Sequence, residues 1–393
     1  KPPNMERARA ALLLGALVST ALFGTVYAIL PAAVALLVPA GLLLRSSPRV
    51  GTAVWLSYRS LVDSIAALWF TLASALIEWL GGTRVVVRGN GASPVPPDER
   101  VSLLICNHHC RLDWMYLWCF CARLAICRRL KIALKAPLKK VPFFGWAMQA
   151  FFFVFLTRGD KESDLSRLRR NLEHCMAAGP MALLIFPEGT DLSPTNLAVS
   201  HKHAASHGLP QYSHVLHPRT AGFVSCVLTL GDRLDAVYDL TITYENHPSV
   251  AASSDPRPAE GHLIAGTPPR GVHVFAERFE RSQLPSAEPA LKQWLVERWA
   301  MKEAALGRPS SSSQALAEDE HVRDGMRSEY RCSLAVGALS FLLFLWGLSR
   351  SIYAWVYLLA GCALFVIITW AGGLDNFELW LCAPARNKKV DLL

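Results

Sequence analysis

A chain of 393 residues with 52% apolar and only 18% charged residues, and a mean hydropathy of +0.26, carries more apolar surface than a soluble fold of this length readily hides. A membrane protein is the better starting point. The 40 Lys+Arg against 31 Asp+Glu leave a net charge of +9, which suits nucleic acid, an anionic membrane surface or a phosphorylated substrate. No nucleic-acid motif accompanies it, so no nucleic-acid partner is expected.

From Ala10 to Leu44 there is no charged residue, Arg9 and Arg45 bounding the run. As one straight helix it would be roughly 50 Å long against a hydrocarbon core of about 30 Å. Pro31 and Pro39 offer breaks, so the expectation is a spanning helix over residues 10–30 followed by a re-entrant or hairpin return. A cleaved signal peptide would have a shorter apolar region. Residues 61–80 form a second apolar stretch, interrupted by Asp63 and Glu78, and read as a helix lying on the bilayer surface or packed on the domain rather than as a span.

From about Arg84 to Trp299 short apolar runs alternate with helical patterns, which argues an α/β domain. Candidate strands are Arg84–Arg88, Val101–Cys106, Met181–Phe186, His214–His217, Ala236–Tyr244 and Val272–Phe279. An amphipathic helix is predicted over Asp164–Ala178, with Ser163 as its N-cap, an apolar stripe of Leu165, Leu168, Leu172 and Met176, and Gly179 as its stop. Residues 307–320 are polar and of low complexity. Two apolar segments, Ser333–Ser349 and Ile352–Trp370, follow as a predicted membrane hairpin split at Arg350. The basic residues Arg386, Lys388 and Lys389 come next, and the positive-inside tendency places them and the domain on the cytosolic side. The chain thus divides into N-terminal membrane-anchor helices (1–80), an α/β domain (81–306), a polar linker (307–330), a C-terminal transmembrane hairpin (331–372) and a basic cytosolic tail (373–393). The ten scattered cysteines, several in apolar stretches, argue for reduced thiols rather than a disulfide framework.

The first candidate site follows a strand: Asn107-His108-His109-Cys110-Arg111-Leu112-Asp113 leads into an apolar helix start. His108 and Asp113 are five residues apart, roughly 140° apart around a regular helix, so a turn between them is needed for Asp113 to reach one imidazole nitrogen. That arrangement makes a general base whose tautomer a carboxylate fixes. The alternative is a His and an Asp in an ordinary loop. A zinc site from Cys106, His108, His109 and Cys110 is disfavoured, since no Cys-x2-Cys pair or distant matching pair exists. Arg158 ends the apolar run FFFVFLTR, where a buried charge would need an anionic partner, a phosphate or a structural ion pair. Phe186-Pro187-Glu188-Gly189-Thr190 closes a strand, where sites commonly lie in α/β sheets.

These blocks, in this order, resemble the glycerolipid acyltransferase superfamily, which includes lysophosphatidic acid and lysocardiolipin acyltransferases. Asn107, His108 and Asp113 match its first motif, Phe155-Leu156-Thr157-Arg158 the second, Phe186-Pro187-Glu188-Gly189-Thr190 the third, and Val215-Leu216-His217-Pro218 with Arg219 the proline-centred fourth. The resemblance covers roughly residues 80–300. Arg111, Trp114, the phrase Phe144-Gly145-Trp146-Ala147-Met148-Gln149 and His217-Pro218-Arg219-Thr220 are similar to the lysocardiolipin branch. His109-Cys110 departs from the small polar residues more usual there.

The resemblance implies a mixed sheet flanked by helices with membrane helices at both ends. It also implies transfer of an acyl group from acyl-CoA, as co-substrate, to a lysophospholipid at the bilayer, in the endoplasmic reticulum. A thioester is already activated, so a positioned His108 oriented by Asp113 would suffice without a serine nucleophile, and no Gly-x-Ser-x-Gly elbow is present. Neither metal nor prosthetic group is expected. Lys135, in a basic and apolar segment, is implied as a phosphate contact. With Asn107, Arg158, Glu188, Gly189, Thr190, Pro218 and Arg219 it makes the expected substrate-binding set, Glu188 orienting the acceptor. Rival readings are a lipid hydrolase using the same pair and a catalytically silent membrane scaffold. Oligomeric state has no signal in the sequence.

Overall fold

The computed structural model describes residues 3–245, 258, 260–308 and 319–382. Residues 309–318 of the polar linker and the basic residues Arg386, Lys388 and Lys389 lie outside the described residues, and residues 319–330 of the segment read as linker belong to the helix Asp319–Arg350. The described part contains seven strands: β1 (Arg84–Arg88), β2 (Val101–Cys106), β3 (Leu130–Lys135), β4 (Val154–Leu156), β5 (Met181–Ile185), β6 (Ala236–Tyr244) and β7 (Gly271–Glu280). The fold is mixed α/β, with apolar helices near both termini. Two compact units divide the chain: Lys1–Leu14, Ala73–Leu130 and Met181–Arg331 form the first, and Gly15–Leu72, Lys131–Pro180 and Cys332–Leu393 the second.

In the first unit five strands run in the order β1-β7-β6-β2-β5. The pairs β1–β7, β6–β2 and β2–β5 are parallel, while β6–β7 is antiparallel. Strands β2 and β5 are buried throughout, as expected for parallel strands covered on both faces. Their register sets Val101 beside Met181 and Ile105 beside Ile185, so the loops that follow both strands leave the sheet at one end. Strand β6 aligns Leu240 with Cys106 and continues to Tyr244, four residues further toward that same end.

Five of the six predicted strands match to within one residue at either end. His214–His217 is not one. The Glu303 carboxylate accepts the amides of Ser213, His214 and Val215 at 2.7, 2.8 and 3.1 Å, occupying the donors that a ladder would need. Strands β3 and β4, in the second unit, escaped the sequence reading. They pair in parallel with Lys135 beside Leu156. The helix after β4 runs Lys161–Ala178 and its N-cap is Asp160, not Ser163, because the Asp160 carboxylate accepts the amides of Glu162 and Ser163 at 3.1 and 3.3 Å. It stops at Gly179, as predicted.

Among the described residues four helices are long and apolar enough to cross a membrane by length and composition: Met5–Ser46, Pro48–Leu80, Ser328–Arg350 and Ile352–Trp370. The first corrects the expected break and return, because the chain stays helical through both prolines. A π-type turn, Gly24–Ile29 and Ala33–Leu37, precedes each of them, and the wider turn accommodates a residue that lacks an N–H and crowds the preceding carbonyl. The second contains residues 61–80, read as a helix on the bilayer surface or packed on the domain. Its two acids are paired with protein: Asp63 with Arg59 and Lys131 at 3.0 and 2.9 Å in the second unit, and Glu78 with Arg123 at 2.7 Å in the first. The last two of these helices meet at Ser351, next to Arg350. A short helix, Leu374–Cys382, occupies the start of the segment read as a tail.

Candidate active site

The loop after β2 does what the spacing of His108 and Asp113 requires. Asp113 is the first residue of the helix Asp113–Arg123, its amide donates to the Cys110 carbonyl at 3.3 Å, and the resulting turn carries its carboxylate back to His108. Nδ1 of His108 lies 2.8 Å from Asp113 Oδ2. The His108 side chain is 15% exposed while that of Asp113 is wholly buried, and the imidazole stacks on Phe186 with centroids 4.4 Å apart. With Asp113 ionised, the proton belongs on Nδ1, which leaves Nε2 with the lone pair of a base.

Asp113 is held on every side. Oδ2 also accepts the Cys110 amide at 3.0 Å, and Oδ1 takes the Tyr244 hydroxyl at 2.5 Å and the Cys110 thiol at 3.3 Å. Burial, and after it the Asp113 charge, pushes the Cys110 thiol well up, so it stays a protonated donor rather than a thiolate ligand. Asn107 is buried and its amide is committed to the sheet: Nδ2 donates to the Ile242 carbonyl at 3.1 Å and Oδ1 accepts the Ile242 amide at 2.8 Å. It extends the β2–β6 pairing by one side-chain rung and so fixes where His108 begins.

The loop after β5 closes on this turn. The Leu192 amide donates to the His108 carbonyl at 2.7 Å. Glu188 is buried rather than presented to solvent. Its Oε1 accepts the Trp299 indole at 3.0 Å and the His108 amide at 3.3 Å, and Oε2 is buried without a partner in bonding geometry. Burial pushes the Glu188 carboxyl up to about 8, against the pull of the Trp299 indole and the amides of Leu216 and His108. Gly189 has φ +76°, and a Cβ there would lie 3.3 Å from Cδ and Nε of Arg219, so the glycine lets the arginine cross the loop. The Arg219 amide donates to the Pro187 carbonyl at 2.8 Å, which ties the Pro218-Arg219 turn to the same loop. Thr190 Oγ1 accepts from Asn196 Nδ2 at 2.9 Å. The first unit therefore gathers Asn107, His108, Asp113, Glu188, Gly189, Thr190, Pro218 and Arg219 around the carboxyl ends of β2 and β5.

Lys135 and Arg158 belong to the second unit. Lys135 ends β3 and Arg158 follows β4 by two residues, so both stand at one end of that parallel ladder. Both are exposed, so Arg158, which ends the apolar run, carries its charge at the surface. Its backbone has φ +62°, held by Asp164, whose carboxylate accepts the Thr157 amide and hydroxyl at 2.8 and 3.0 Å and the Arg158 amide at 2.6 Å. Sequence reasoning missed the roles of Tyr244, Trp299 and Asp164. The first two lie 131 and 111 residues from the acids they hold, and no local pattern marks them.

A buried carboxylate within hydrogen-bond distance of a half-buried imidazole, in a loop at the end of a parallel strand, is an arrangement chemically able to move a proton. A family model described as acyltransferase matches residues 84–245, the stretch that contains it. Lysocardiolipin acyltransferase 1 of Gallus gallus is 38% identical over 335 residues, covering 82% of this chain and 85% of that protein. The protein of the same name in Danio rerio is 45% identical over 255 residues, covering 64% of this chain and 62% of its own length, so the match spans less than two thirds of that relative. Lysophosphatidylinositol acyltransferase 10 of Caenorhabditis elegans is 33% identical over 277 residues, covering 68% and 67%. The chain belongs to the acyltransferase family that contains these proteins. Within it, the similarity to lysocardiolipin acyltransferases runs over most of the chain.

Proposed function

We propose that this protein is an integral-membrane acyltransferase that moves a fatty acyl group from acyl-CoA to the free hydroxyl of an anionic lysophospholipid. Acceptors of this class are lysocardiolipin, lysophosphatidylinositol, lysophosphatidylglycerol and lysophosphatidic acid. The observation that carries the reading is the 2.8 Å contact between His108 Nδ1 and the buried Asp113 carboxylate. It leaves Nε2 free of a proton to accept one from an alcohol.

In this mechanism Nε2 of His108 takes the proton of the acceptor hydroxyl as its oxygen bonds to the thioester carbonyl carbon. The N-terminal end of the helix Asp113–Arg123 is the proposed source of positive potential for the oxyanion. The C–S bond then breaks, and the coenzyme A thiolate takes the proton from the imidazolium, which restores the base. Asp113 stays ionised and stabilises the imidazolium between the two transfers. Asn107 and Glu188 act through the backbone around His108. Arg219, lying over Gly189, supplies positive charge at the loop, and Lys135 and Arg158 are phosphate-binding cations, since a guanidinium holds phosphate in two-point fashion. No step calls for a metal or prosthetic group. The family resemblance supports the endoplasmic reticulum, with the acyltransferase domain facing the cytosol.

The test uses the full chain in detergent or lipid nanodiscs with a matrix of acyl-CoA donors and lysophospholipid acceptors. Diacyl product that depends on both substrates, and is lost in His108→Ala with the protein still folded, is the expected result. Free fatty acid as the main product would replace transfer with hydrolysis. Full activity of His108→Ala would remove the proposed base.

A further inference from the structure

Tyr244 is the last residue of β6 and sits opposite Val272 of β7, so two strands fix its backbone. Its side chain is buried, its ring meets Tyr116 edge-on with centroids 5.8 Å apart, and its hydroxyl reaches Asp113 Oδ1 at 2.5 Å. Cys110 Sγ lies 3.3 Å from both that carboxylate oxygen and the Tyr244 oxygen. The two carboxylate oxygens thus have separate duties. Oδ2 serves the His108 ring and the Cys110 amide; Oδ1 serves the phenol and the thiol.

We infer that Tyr244 is a positioning residue for the proposed acyl transfer, its hydroxyl fixing the plane of the Asp113 carboxylate and drawing off part of its charge from His108. The inference rests on the general-base reading of His108. Two physical effects follow. A carboxylate with both oxygens bonded cannot rotate away from the imidazole, so the productive tautomer is kept. A donor on Oδ1 also competes with the imidazole for the same negative charge, since hydrogen bonds to an ionised group are among the strong ones. Burial, then the Asp113 charge, pushes the Tyr244 phenol well above its ordinary range, so it donates at every pH of interest. The titratable groups around Asp113 and Tyr244 are His108, His109 and Cys110 in the loop, His109 packing on the Tyr244 ring with centroids 5.2 Å apart, Tyr116 on the helix, Cys106 on β2 and Glu188 after β5, besides Tyr244 itself on β6. All but Tyr244 are unchanged in the variant that tests the idea.

Removing the hydroxyl concentrates the Asp113 charge on the imidazole, which favours imidazolium and demands a higher pH before the base is free. In Tyr244→Phe the acid limb of kcat/KM is therefore expected to move upward by about 0.5 to 1 pH unit, and kcat at neutral pH to fall about 5- to 50-fold with KM nearly unchanged. Cys110→Ala should move the limb the same way by less. The position of the limb does not depend on the fraction of active protein, so partial misfolding cannot imitate it. A slower Tyr244→Phe with its limb unmoved would reduce Tyr244 to a packing residue and overturn the inference, and so would a wild-type rate and profile. His108→Ala is run alongside: if that variant keeps its activity the general-base reading itself fails, whereas an inactive His108→Ala beside an unperturbed Tyr244→Phe sinks only this inference.

Discussion

Trp299 and Glu188, 111 residues apart, meet through a 3.0 Å hydrogen bond from the indole Nε1 to Oε1, and that same oxygen accepts the backbone N–H of His108. The helix Glu288–Leu306 is in this way wired to the peptide of the base. Glu188 is buried and its carboxyl is pushed up to about 8, so near neutral pH its neutral form predominates. Glutamine copies that form. Glu188→Gln is expected to keep kcat within several-fold of wild type. Glu188→Ala strands the indole and the amide, which costs about 1–3 kcal/mol of stability and loosens His108. Inactivity of the Gln variant would show that a carboxylate is needed.

The same acid sets a pH dependence of stability. Its folded value lies above the ordinary carboxylate value, so between the two the folded protein binds more protons than the unfolded chain. The stabilising contribution is then largest in acid and is lost as pH rises toward about 8. Thermal melting of wild type and Glu188→Gln from about pH 5 to about pH 8 should show wild type losing Tm relative to the variant. Parallel curves would mean that Glu188 titrates normally.

Gly189→Ala tests the crossing of the two loops. Its φ of +76° and the 3.3 Å approach to Arg219 make a Cβ costly on both counts, by roughly 1–3 kcal/mol for the backbone alone. The expected loss in kcat/KM is about tenfold or more, through displaced Arg219. Arg219→Ala should then lose little further when combined with Gly189→Ala. Fully additive losses would separate the two residues.

What was legible in the sequence was local. The strand limits of β1, β2 and β6 followed from short apolar runs, and the turn from His108 to Asp113 followed from a five-residue spacing that no straight helix satisfies. What failed was competition between side chains and backbone. Asp160 and Ser163 both qualify as caps, and the carboxylate three residues upstream took the amides. His214–His217 looks like a strand until Glu303, far along the chain, claims its N–H groups. Strands β3 and β4 were hidden because their lysines, and the aromatic run before Arg158, read as a basic surface and a buried charge. Tyr244 and Trp299 carry no local mark, since their partners are set by sheet register and helix packing rather than spacing.

Asp164 is expected to matter for acceptor binding more than for chemistry. Its carboxylate holds Thr157 and the amide of Arg158 in a backbone conformation with φ +62° that arginine rarely adopts. Asp164→Ala frees that turn and lets Arg158 leave the end of the β3–β4 ladder. KM for the lysophospholipid should rise about tenfold, with kcat held within about threefold. A fall in kcat at constant KM would argue that Arg158 acts in the transition state instead.

Glu378 anchors the helix Leu374–Cys382 within the second unit. It is buried against Arg59 at 3.1 Å, His174 at 2.8 Å and the Trp55 indole at 2.9 Å. Burial pushes its carboxyl up, yet the Arg59 charge and His174 pull harder and bring it to about 2. A folded value below the unfolded one means that this contribution is complete above the ordinary carboxylate range and is lost as pH falls toward about 2. Glu378→Gln removes one of the two carboxylates that the buried Arg59 meets, leaving Asp63 at 3.0 Å, and the expected destabilisation is about 1–3 kcal/mol. Replacing both partners by apolar residues of similar volume, as in Arg59→Met with Glu378→Leu, should recover part of that loss, because the desolvated pair is removed while Asp63 keeps Lys131 at 2.9 Å. Thermal melting of the purified full chain distinguishes the cases. A double variant no more stable than Glu378→Gln would mean that hydrogen bonds to His174 and Trp55, rather than the ion pair, hold this helix in place.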